Sequence, residues 1–343
     1  MAADAGKRKW RIGVIGCGAW GPNHVRNFAA LPNVEVVGVA DLKTERLARV
    51  AAIVPGVAQF SSSAEMMATA KPDAVVVSTP TRTHYEVVKE ALLAGVHVLS
   101  EKPLCSTAGQ ADELVRLAAE RKRLLMVGHV FLFNRGILKL KELVDAGELG
   151  RIYYLFARRT NLGPIRSDVN AVLDLASHDV SIYNYLLGAP PLEVSAVGKA
   201  FLQPGIEDVS VITLQYPNDV VASIHVSWLD PKKVREMTIV GEKRMAIWDD
   251  LATLGPVMVF DKGVTKRQEY ADFGEFQLLA REGDVTIPRV PAEEPLRQQS
   301  RAFIEALDSP DALRSGGQVG ADVVRVLVAI NESMSKNGAP VKL

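Results

Sequence analysis

The sequence has few cysteines, no long apolar run and no excess of either charge. Cys17 and Cys105 are the two cysteines among 343 residues, too few for a disulfide framework or a structural zinc site. Lysine plus arginine and aspartate plus glutamate both total 40, so no charge excess indicates a nucleic-acid partner. The longest apolar runs, such as residues 74–77, are much shorter than a membrane span. Residues 1–9 are polar and lead into no signal-peptide core, so we expect a cytoplasmic protein without membrane contact.

The remaining composition is that of a globular protein with more than one core. Apolar residues make up 48% of the chain and charged residues 23%, which excludes a disordered chain. A length of 343 residues exceeds what one ordinary core accommodates. We therefore expect two domains.

The first third of the chain alternates short β-branched runs with amphipathic helical stretches. Such alternation is typical of βαβ units, and strands that are apolar throughout are typical of a parallel sheet covered by helices on both faces. The predicted strands are 10–15, 34–40, 74–78, 97–100 and 124–127, and the predicted helices are 23–31, 44–53, 83–94 and 108–121.

The pattern changes after about Gly150 to successive strands joined by turns, which indicates an antiparallel sheet. The sequence thus predicts an α/β protein, with one domain over 1–130 and a second, α+β domain over 131–343 that contains a large, mostly antiparallel open sheet. This domain division also allows the C-terminal helices to pack against the first domain. In the second part we predict helices at 137–146, 171–187, 296–307 and 320–337, a polar segment at 161–169, and strands at 152–159, 192–199, 209–216, 220–228, 235–241 and 244–248.

A glycine motif follows the first predicted strand. Gly16, Gly18 and Gly21 form G-x-G-x-x-G between a strand and a helix, and the next strand ends in Asp41, which is the context that a dinucleotide-binding Rossmann domain requires. The glycines allow a tight turn, close approach of a pyrophosphate and close helix packing, and the helix N-terminus favours the anion. Asp41 at the adenosine ribose favours NAD over NADP, although Lys43 and Arg46 nearby oppose this preference. The alternative to a dinucleotide-binding site is an ordinary glycine turn in an unrelated α/β fold.

A second loop at the carboxyl edge of the sheet carries polar groups. Ser78, Thr79 and Pro80 follow a strand and His84 lies in the next helix, where it either contacts the nicotinamide half of the cofactor or only packs. The full set of predicted cofactor contacts is Gly16, Gly18, Ala19, Trp20, Gly21, Asp41, Leu42, Ser78, Thr79, Pro80, His84, Glu101 and Lys102.

Two further groups are candidates for catalysis. Lys102 follows a strand at the same edge, where an ammonium can bind a substrate hydroxyl and stabilise developing alkoxide charge, although a surface lysine is the alternative. Asp174 and His178 are four residues apart, with Asn170 four residues earlier, and a carboxylate–imidazole pair on one helical face is suited to proton transfer. The alternative is a solvent-exposed Asp–His pair without a catalytic role. No third ligand accompanies the pair, so we expect no metal site.

At these residues the sequence resembles the Gfo/Idh/MocA oxidoreductase family. The matching segments are 12–21, 36–41, Ser78-Thr79-Pro80 with His84, Glu101-Lys102-Pro103, and 174–178. The resemblance implies that Lys102 contacts the reacting hydroxyl and that His178 is the general acid/base, assisted by Asp174. It also implies a homodimer or homotetramer formed through the open sheet.

The segment 161–170 is similar to the subgroup that acts on nucleotide-linked sugars, including the 3-dehydrogenases of UDP-N-acetylglucosamine and its uronic acid. Departures at Leu173, Ser177 and Asn134-Arg135 border the expected pocket and bear on substrate identity more than on reaction type. The resemblance implies sugar or phosphate contacts for Arg159, Asn161, Arg166, Asn170 and Asp174, and His129 is a further candidate at the carboxyl edge.

The glycine motif predicts an NAD-dependent oxidoreductase, and the resemblance implies that it transfers hydride between nicotinamide and a sugar hydroxyl or ketone, at C3 of a nucleotide-linked sugar. One alternative is a dehydrogenase of free sugars or inositol-type polyols. A second alternative, of another class, is a regulator that binds the dinucleotide without turnover.

Overall fold

In the computed structural model the described residues are 9–266, 278–309 and 313–343. They divide into two units, one drawn from Met1–Phe133 with Glu293–Val328 and the other from Asn134–Ala292 with Ala329–Leu343. Residues 1–8, on which the signal-peptide prediction rests, lie outside the described residues.

The first unit is a doubly wound α/β sheet. Its six strands are all parallel and lie in the order β3-β2-β1-β4-β5-β6. In chain order its elements are β1 Trp10–Ile15, α1 Gly21–Ala29, β2 Val34–Ala40, α2 Thr44–Ala51, β3 Ala58–Phe60, α3 Ser63–Ala70, β4 Ala74–Val77, α4 Thr81–Leu93, β5 His97–Ser100, α5 Ala108–Glu120, β6 Leu125–Val127 and a 3₁₀ turn, Val130–Phe133. Helix α8, Pro295–Asp308, and the start of α9, Gly317–Ser335, complete this unit.

This arrangement confirms the predicted parallel sheet and adds one βα pair that the sequence analysis missed. Strand β3 is only three residues long, and helix α3 begins where the Ser62 hydroxyl accepts a hydrogen bond from the amide of Glu65. So short an apolar signal is not distinguishable from a loop. Because all strands run the same way, the ends of β1, β4, β5 and β6 lie at one edge, where the polar motifs follow them.

The second unit is built on a nine-stranded sheet in the order β16-β13-β12-β11-β7-β10-β9-β8-β17, with a separate two-stranded ladder, β14-β15. Its elements are α6 Arg135–Asp145, β7 Ile152–Leu162, α7 Ser177–Leu187, β8 Glu193–Lys199, β9 Val209–Tyr216, β10 Val220–Ser227, β11 Leu229–Gly241, β12 Met245–Asp249, β13 Val257–Phe260, β14 Gly263–Lys266, β15 Leu278–Arg281, β16 Val285–Thr286 and β17 Val341–Lys342. The last residues of α9 also belong to it.

Strand β7 is the central strand, and it is longer than predicted. It pairs with β10 in parallel and with β11 in antiparallel, and the pairing with β11 reaches Leu162 opposite Leu229. The sheet is therefore mixed, although mostly antiparallel as expected. Asn161, assigned above to an irregular polar segment, lies in this strand because the neighbouring strand extends the ladder.

The predicted helix 171–187 is two elements rather than one. It begins with a π-helical turn, Val172–Ala176, and α7 starts at Ser177. A π turn has more residues than an α turn, so the four-residue spacing of Asn170, Asp174 and His178 does not have the α-helical geometry assumed above. The expectation that these three share one α-helical face is therefore wrong.

The two faces of the large sheet differ in burial. Leu155 and Ala157 of β7 point into the core and are almost wholly buried. The other face exposes large apolar side chains, which are Tyr154 and Phe156 on β7 and Val221 on β10. Within the described ranges no helix has the length and apolarity needed to cross a bilayer.

Candidate active site

The glycine turn between β1 and α1 is shaped by three different requirements. Gly16 has φ +91°, and a Cβ there would lie 2.7 Å from the backbone of Ser78 and Thr79. A Cβ at Gly21 would lie 2.2 Å from the carbonyl oxygen of Gly16. Gly18 is different, because a Cβ there would meet only the Arg46 guanidinium, at 4.0 Å. The fold needs Gly16 and Gly21, whereas the space at Gly18 is open to a ligand.

This arrangement fits a dinucleotide. Helix α1 starts at Gly21, and no side chain in the part of the chain that the structure describes caps its N-terminus, so its positive end is available to an anion. Trp20 beside it is 48% exposed and Leu42, after β2, is 90% exposed. Gly18, Ala19 and the helix start are the groups that would hold its pyrophosphate.

Asp41, the predicted ribose-binding residue, holds the glycine turn in place. One carboxylate oxygen accepts a hydrogen bond from the Cys17 amide at 2.7 Å and the other from the Lys43 amide at 2.9 Å. Arg46 lies 3.6 Å from the same carboxylate. The negative charge at this position is thus fixed by backbone contacts and partly balanced by Arg46. Burial and the Asp41 charge raise the pKa of the Cys17 thiol to about 12, so that thiol is unreactive.

The second loop is tied to the first. The hydroxyl of Ser78 donates to the Gly16 carbonyl at 2.7 Å, and the hydroxyl of Thr83 donates to the Pro80 carbonyl at 2.7 Å. Thr79 and Thr83 hydroxyls also bond at 2.9 Å. The loop after β4 therefore has a fixed conformation next to the glycine turn.

His84 connects the loop after β4 with the turn after β5. It is 1% exposed, with Nδ1 2.8 Å from the carbonyl of Pro103 and Nε2 2.8 Å from that of Thr79. Burial lowers the pKa of His84, and the two carbonyls oppose that effect. Since both ring nitrogens are engaged, the packing alternative describes His84 better than a direct cofactor contact.

Glu101 and Lys102 form a turn at the end of β5 that is held by a histidine. The Glu101 carboxylate lies 2.8 Å from Nε2 of His24 and accepts a hydrogen bond from the Lys102 amide at 3.2 Å. Burial would raise the pKa of Glu101, but the hydrogen bond from His24 and the charges of His24 and Lys102 together hold it below its usual value. The Lys102–Pro103 peptide is cis. Sequence reasoning missed His24, because 77 residues separate it from Glu101.

His129 lies close to this turn and is 1% exposed. Burial and the charge of Lys102 lower its pKa to about 4, so its imidazole is neutral near pH 7. A neutral ring offers one donor and one acceptor, so it suits hydrogen bonding better than charge recognition.

In the second unit, the structure corrects the expectation for Arg159. Its guanidinium donates to both oxygens of Asp179, at 2.9 and 2.8 Å, and the two side chains are 3% and 1% exposed. A guanidinium that is buried against a carboxylate is not presented to a substrate phosphate. Asp179 directly follows His178 in the sequence.

Asn170 and Asn161 are also engaged within the protein. The Asn170 amide donates to Glu207 at 2.8 Å and to Asn331 at 3.0 Å, and its oxygen accepts from the Leu173 amide at 3.0 Å. Asn161 donates to the carbonyl of Gly163. These bonds tie both residues to neighbouring segments of the second unit, and their sugar contacts stay a prediction.

Asp174 is held from two sides. Arg166 donates to one of its oxygens at 3.1 Å, and the indole N–H of Trp228, a wholly buried side chain, donates to the other at 3.2 Å. Arg166 also forms two hydrogen bonds with Asp168, at 2.9 and 2.7 Å. Trp228 was not predicted as a site residue, because no motif singles it out. His178 lies just after this turn, and its carbonyl accepts from the Ser181 hydroxyl at 2.7 Å.

Two family models match the chain. One, described as an oxidoreductase family with an NAD-binding Rossmann fold, matches residues 10–129. The other, the GFO/IDH/MocA C-terminal domain, matches residues 137–247. Among the described residues, no group of three or more His, Cys, Asp or Glu side chains is arranged to hold a metal ion.

Curated relatives and solved structures agree with these matches. The UDP-N-acetylglucosamine 3-dehydrogenase of Acidithiobacillus ferrooxidans is 32% identical over 296 residues, which cover 83% of this chain and 90% of that protein. Inositol 2-dehydrogenase 2 of Paenarthrobacter aurescens is 28% identical over 97% of this chain and 98% of its own length.

Two solved structures of similar size share the fold. The structure of the A. ferrooxidans enzyme, GnnA, has a TM-score of 0.81 at 28% identity and covers 96% of this chain and 98% of its own. The WlbA dehydrogenase of Bordetella pertussis, solved with NADH and UDP-GlcNAcA, also has a TM-score of 0.81, at 24% identity, and covers 98% of this chain and 99% of its own.

The glycine turn yields a test with a matched pair of variants. Gly18→Ala is expected to weaken NADH binding about tenfold or more, because a methyl group in the ligand's path costs about 1–3 kcal/mol, and to leave the free energy of unfolding within about 0.5 kcal/mol of wild type. Gly21→Ala is expected to destabilise the fold itself, since its Cβ would lie 2.2 Å from the Gly16 carbonyl. NADH fluorescence titration and urea unfolding measure the two effects, and equal loss of stability in both variants would contradict the assignment of Gly18 to the ligand.

Proposed function

The chain belongs to the Gfo/Idh/MocA oxidoreductase family, and from that premise we propose that it is an NAD-dependent dehydrogenase, or in reverse a ketoreductase, acting at C3 of a nucleotide-linked sugar. The observation that carries the proposal is the 32% identity over 296 residues to an enzyme named for the 3-dehydrogenation of UDP-N-acetylglucosamine. NAD, when bound, supplies the hydride acceptor. The protein's own residues bind, orient and deprotonate the substrate.

Lys102 is the proposed hydroxyl-binding residue. It follows β5 at the carboxyl edge, in a turn that the Glu101–His24 pair holds in place. Its ammonium would donate to the reacting oxygen and stabilise the negative charge that develops on it.

His178 is the proposed general base, with Asp174 as its assistant. An imidazole takes the hydroxyl proton as the carbon loses hydride, and returns it in the reverse reaction. Arg166 and Trp228 hold the Asp174 carboxylate in one orientation, which supports a fixed electrostatic role for that group. Arg166, whose side chain is 34% exposed, remains our candidate for the substrate diphosphate.

Replacing either catalytic group should remove turnover without removing the cofactor. Lys102→Met and His178→Asn are each expected to lower kcat by about 100-fold or more, the usual contribution of such groups, with the Kd for NADH within about twofold of wild type. Lys336→Met, at an exposed lysine that pairs with Glu332, is the matched control and should retain full activity.

Substrate panels separate the competing functions in the same assay. UDP-N-acetylglucosamine should exceed N-acetylglucosamine in kcat/KM by about 100-fold or more, because each charge-assisted hydrogen bond to a diphosphate contributes about 1.5–3 kcal/mol. Equal turnover of free sugars or myo-inositol would favour the polyol dehydrogenase, a function that the 28% identity to the P. aurescens protein supports. NADH binding without turnover of any sugar would favour the regulator.

The preference for NAD rests on the Asp41 charge. We expect wild type to bind NADH at least about tenfold more tightly than NADPH, since a phosphate near a carboxylate costs about 1–3 kcal/mol. Asp41→Asn, which keeps an acceptor for the Cys17 amide, should bring the two Kd values together, and Arg46→Ala should separate them further. Fluorescence titration with both reduced cofactors is the measurement, and a ratio that Asp41→Asn leaves unchanged would rule out Asp41 as the discriminating group.

We also propose that the open face of the nine-stranded sheet is covered by a second copy of the chain, giving a homodimer or homotetramer. Tyr154 and Val221 are paired across β7 and β10 on this face and are 47% and 38% exposed, and Phe156 next to them is 39% exposed. Apolar patches on a sheet face are typical of protein interfaces.

The oligomer is tested by charge on this face. Phe156→Glu with Tyr154→Glu should shift the mass measured by light scattering toward the monomer, because two carboxylates would be buried without partners. Leu254→Glu, at an apolar side chain that is 89% exposed elsewhere in the chain, should leave the mass unchanged. A wild-type protein that is monomeric at micromolar concentration would refute the proposal.

A further inference from the structure

A buried ion pair joins the central strand of the large sheet to the helix that carries His178. Arg159 of β7 and Asp179 of α7 are 3% and 1% exposed, and two parallel hydrogen bonds of 2.9 and 2.8 Å connect them. Removing two charges from water is costly, and a well-packed apolar pair is often as stable or more so. The net stability of the fold therefore does not by itself explain why this pair is charged.

The position of the pair suggests what it does. Asp179 directly follows His178 in the first turn of α7, and α7 starts immediately after the π turn Val172–Ala176. π turns are irregular insertions in helices and are frequent at functional sites. A contact at the first turn of α7 would fix its orientation after this irregular turn.

Strand β7 is paired on both sides in the centre of the sheet and can support such a contact. Arg159 is paired in the sheet with Val226 of β10 on one side and Arg235 of β11 on the other, so its backbone is held by two ladders. The planar guanidinium has one geometry for two bonds with a carboxylate, whereas an apolar contact permits sliding. The pair thus fixes the distance and the rotation of the first turn of α7 relative to β7.

Farther along α7, other contacts attach the helix without specifying that turn. The hydroxyl of Tyr183 donates to the carbonyl of Ser223 at 2.8 Å, and the hydroxyl of Tyr216 donates to Asn184 at 2.8 Å. Both groups are buried, and burial raises the pKa of both phenols well above the usual value. They hold the middle of the helix on the sheet.

We propose that Arg159 and Asp179 are positioning residues for His178: the ion pair fixes the first turn of α7, and with it the imidazole, against the central strand. The inference rests on the proposed function, since it takes His178 as the general base. It assigns to Arg159 a role in placing the base instead of the contact with substrate that the sequence suggested.

The experiment compares charge-conserving and charge-free replacements. Arg159→Lys keeps the charge and loses the two-pronged geometry, while Arg159→Met with Asp179→Leu removes both charges and keeps an apolar contact. Both variants are expected to lower kcat by about 10- to 100-fold, because small displacements of a catalytic group have effects of that size, with KM for the sugar and Kd for NADH within about twofold of wild type. The melting temperature of the double variant should remain near that of wild type.

Tyr216→Phe is the matched control, because it removes a buried hydrogen bond to the same helix at Asn184, away from its first turn. It should lower the melting temperature and leave kcat unchanged. Wild-type kcat in both Arg159 variants would overturn the proposal and leave the pair a structural contact. A raised KM with unchanged kcat would also overturn it, in favour of substrate binding by Arg159.

Arg159→Lys carries the test alone if the double variant does not fold. Failure of the underlying function is distinguishable, since it would be seen as an inactive wild type or as full activity in His178→Asn. In the proposed scheme the wild type is active, His178→Asn is not, and the Arg159 variants lie between them in kcat.

Discussion

The contacts of the Glu101 carboxylate, whose side chain is 13% exposed, hold together the candidate cofactor site of the first unit. The carboxylate joins His24, in the helix that follows the glycine turn, to the amide of Lys102 at the end of β5. A charged carboxylate is stable in that place only because the imidazole and the lysine charge offset the cost of burial, and both lower its pKa. Moving any one of these three groups would leave a buried charge with too few partners, so the turn that presents Lys102 is coupled to the turn that would receive the cofactor.

Similar polar contacts link the other loops at this edge. The Ser78 hydroxyl bonds the Gly16 carbonyl, and His84 lies between the carbonyls of Thr79 and Pro103. Three loops that follow different strands are thus connected to one another and not only to the sheet. Binding sites on loops gain accuracy when such supports restrict them, since a loop on its own is the most mobile part of a fold.

Local sequence predicted the parts of this site that depend on residue type and neighbouring context. The G-x-G-x-x-G turn, Asp41 and the Glu101-Lys102-Pro103 turn were found because each follows an apolar strand, and the parallel sheet was found because strand and helix patterns alternate. The His24–Glu101 and Arg159–Asp179 pairs were not found, because 77 and 20 residues separate the partners and only the tertiary fold brings them together. The π turn Val172–Ala176 was missed for another reason: the sequence analysis assumed α-helical spacing throughout residues 171–187.

The histidines illustrate how burial divides roles among residues of one type. Burial, then the nearby Lys102 charge, lowers the pKa of His129 to about 4, and burial and Arg123 lower that of His97, whose Nδ1 accepts from the Leu124 amide. Because their pKa values are lowered, these rings stay neutral near pH 7 and serve as fixed donors or acceptors. A group that exchanges protons in a reaction needs a pKa near the working pH. His24 and His84 are committed to Glu101 and to two carbonyls. This division is compatible with the proposal that proton transfer falls to a histidine of the second unit, where His178 lies in the first turn of a helix anchored by a buried ion pair.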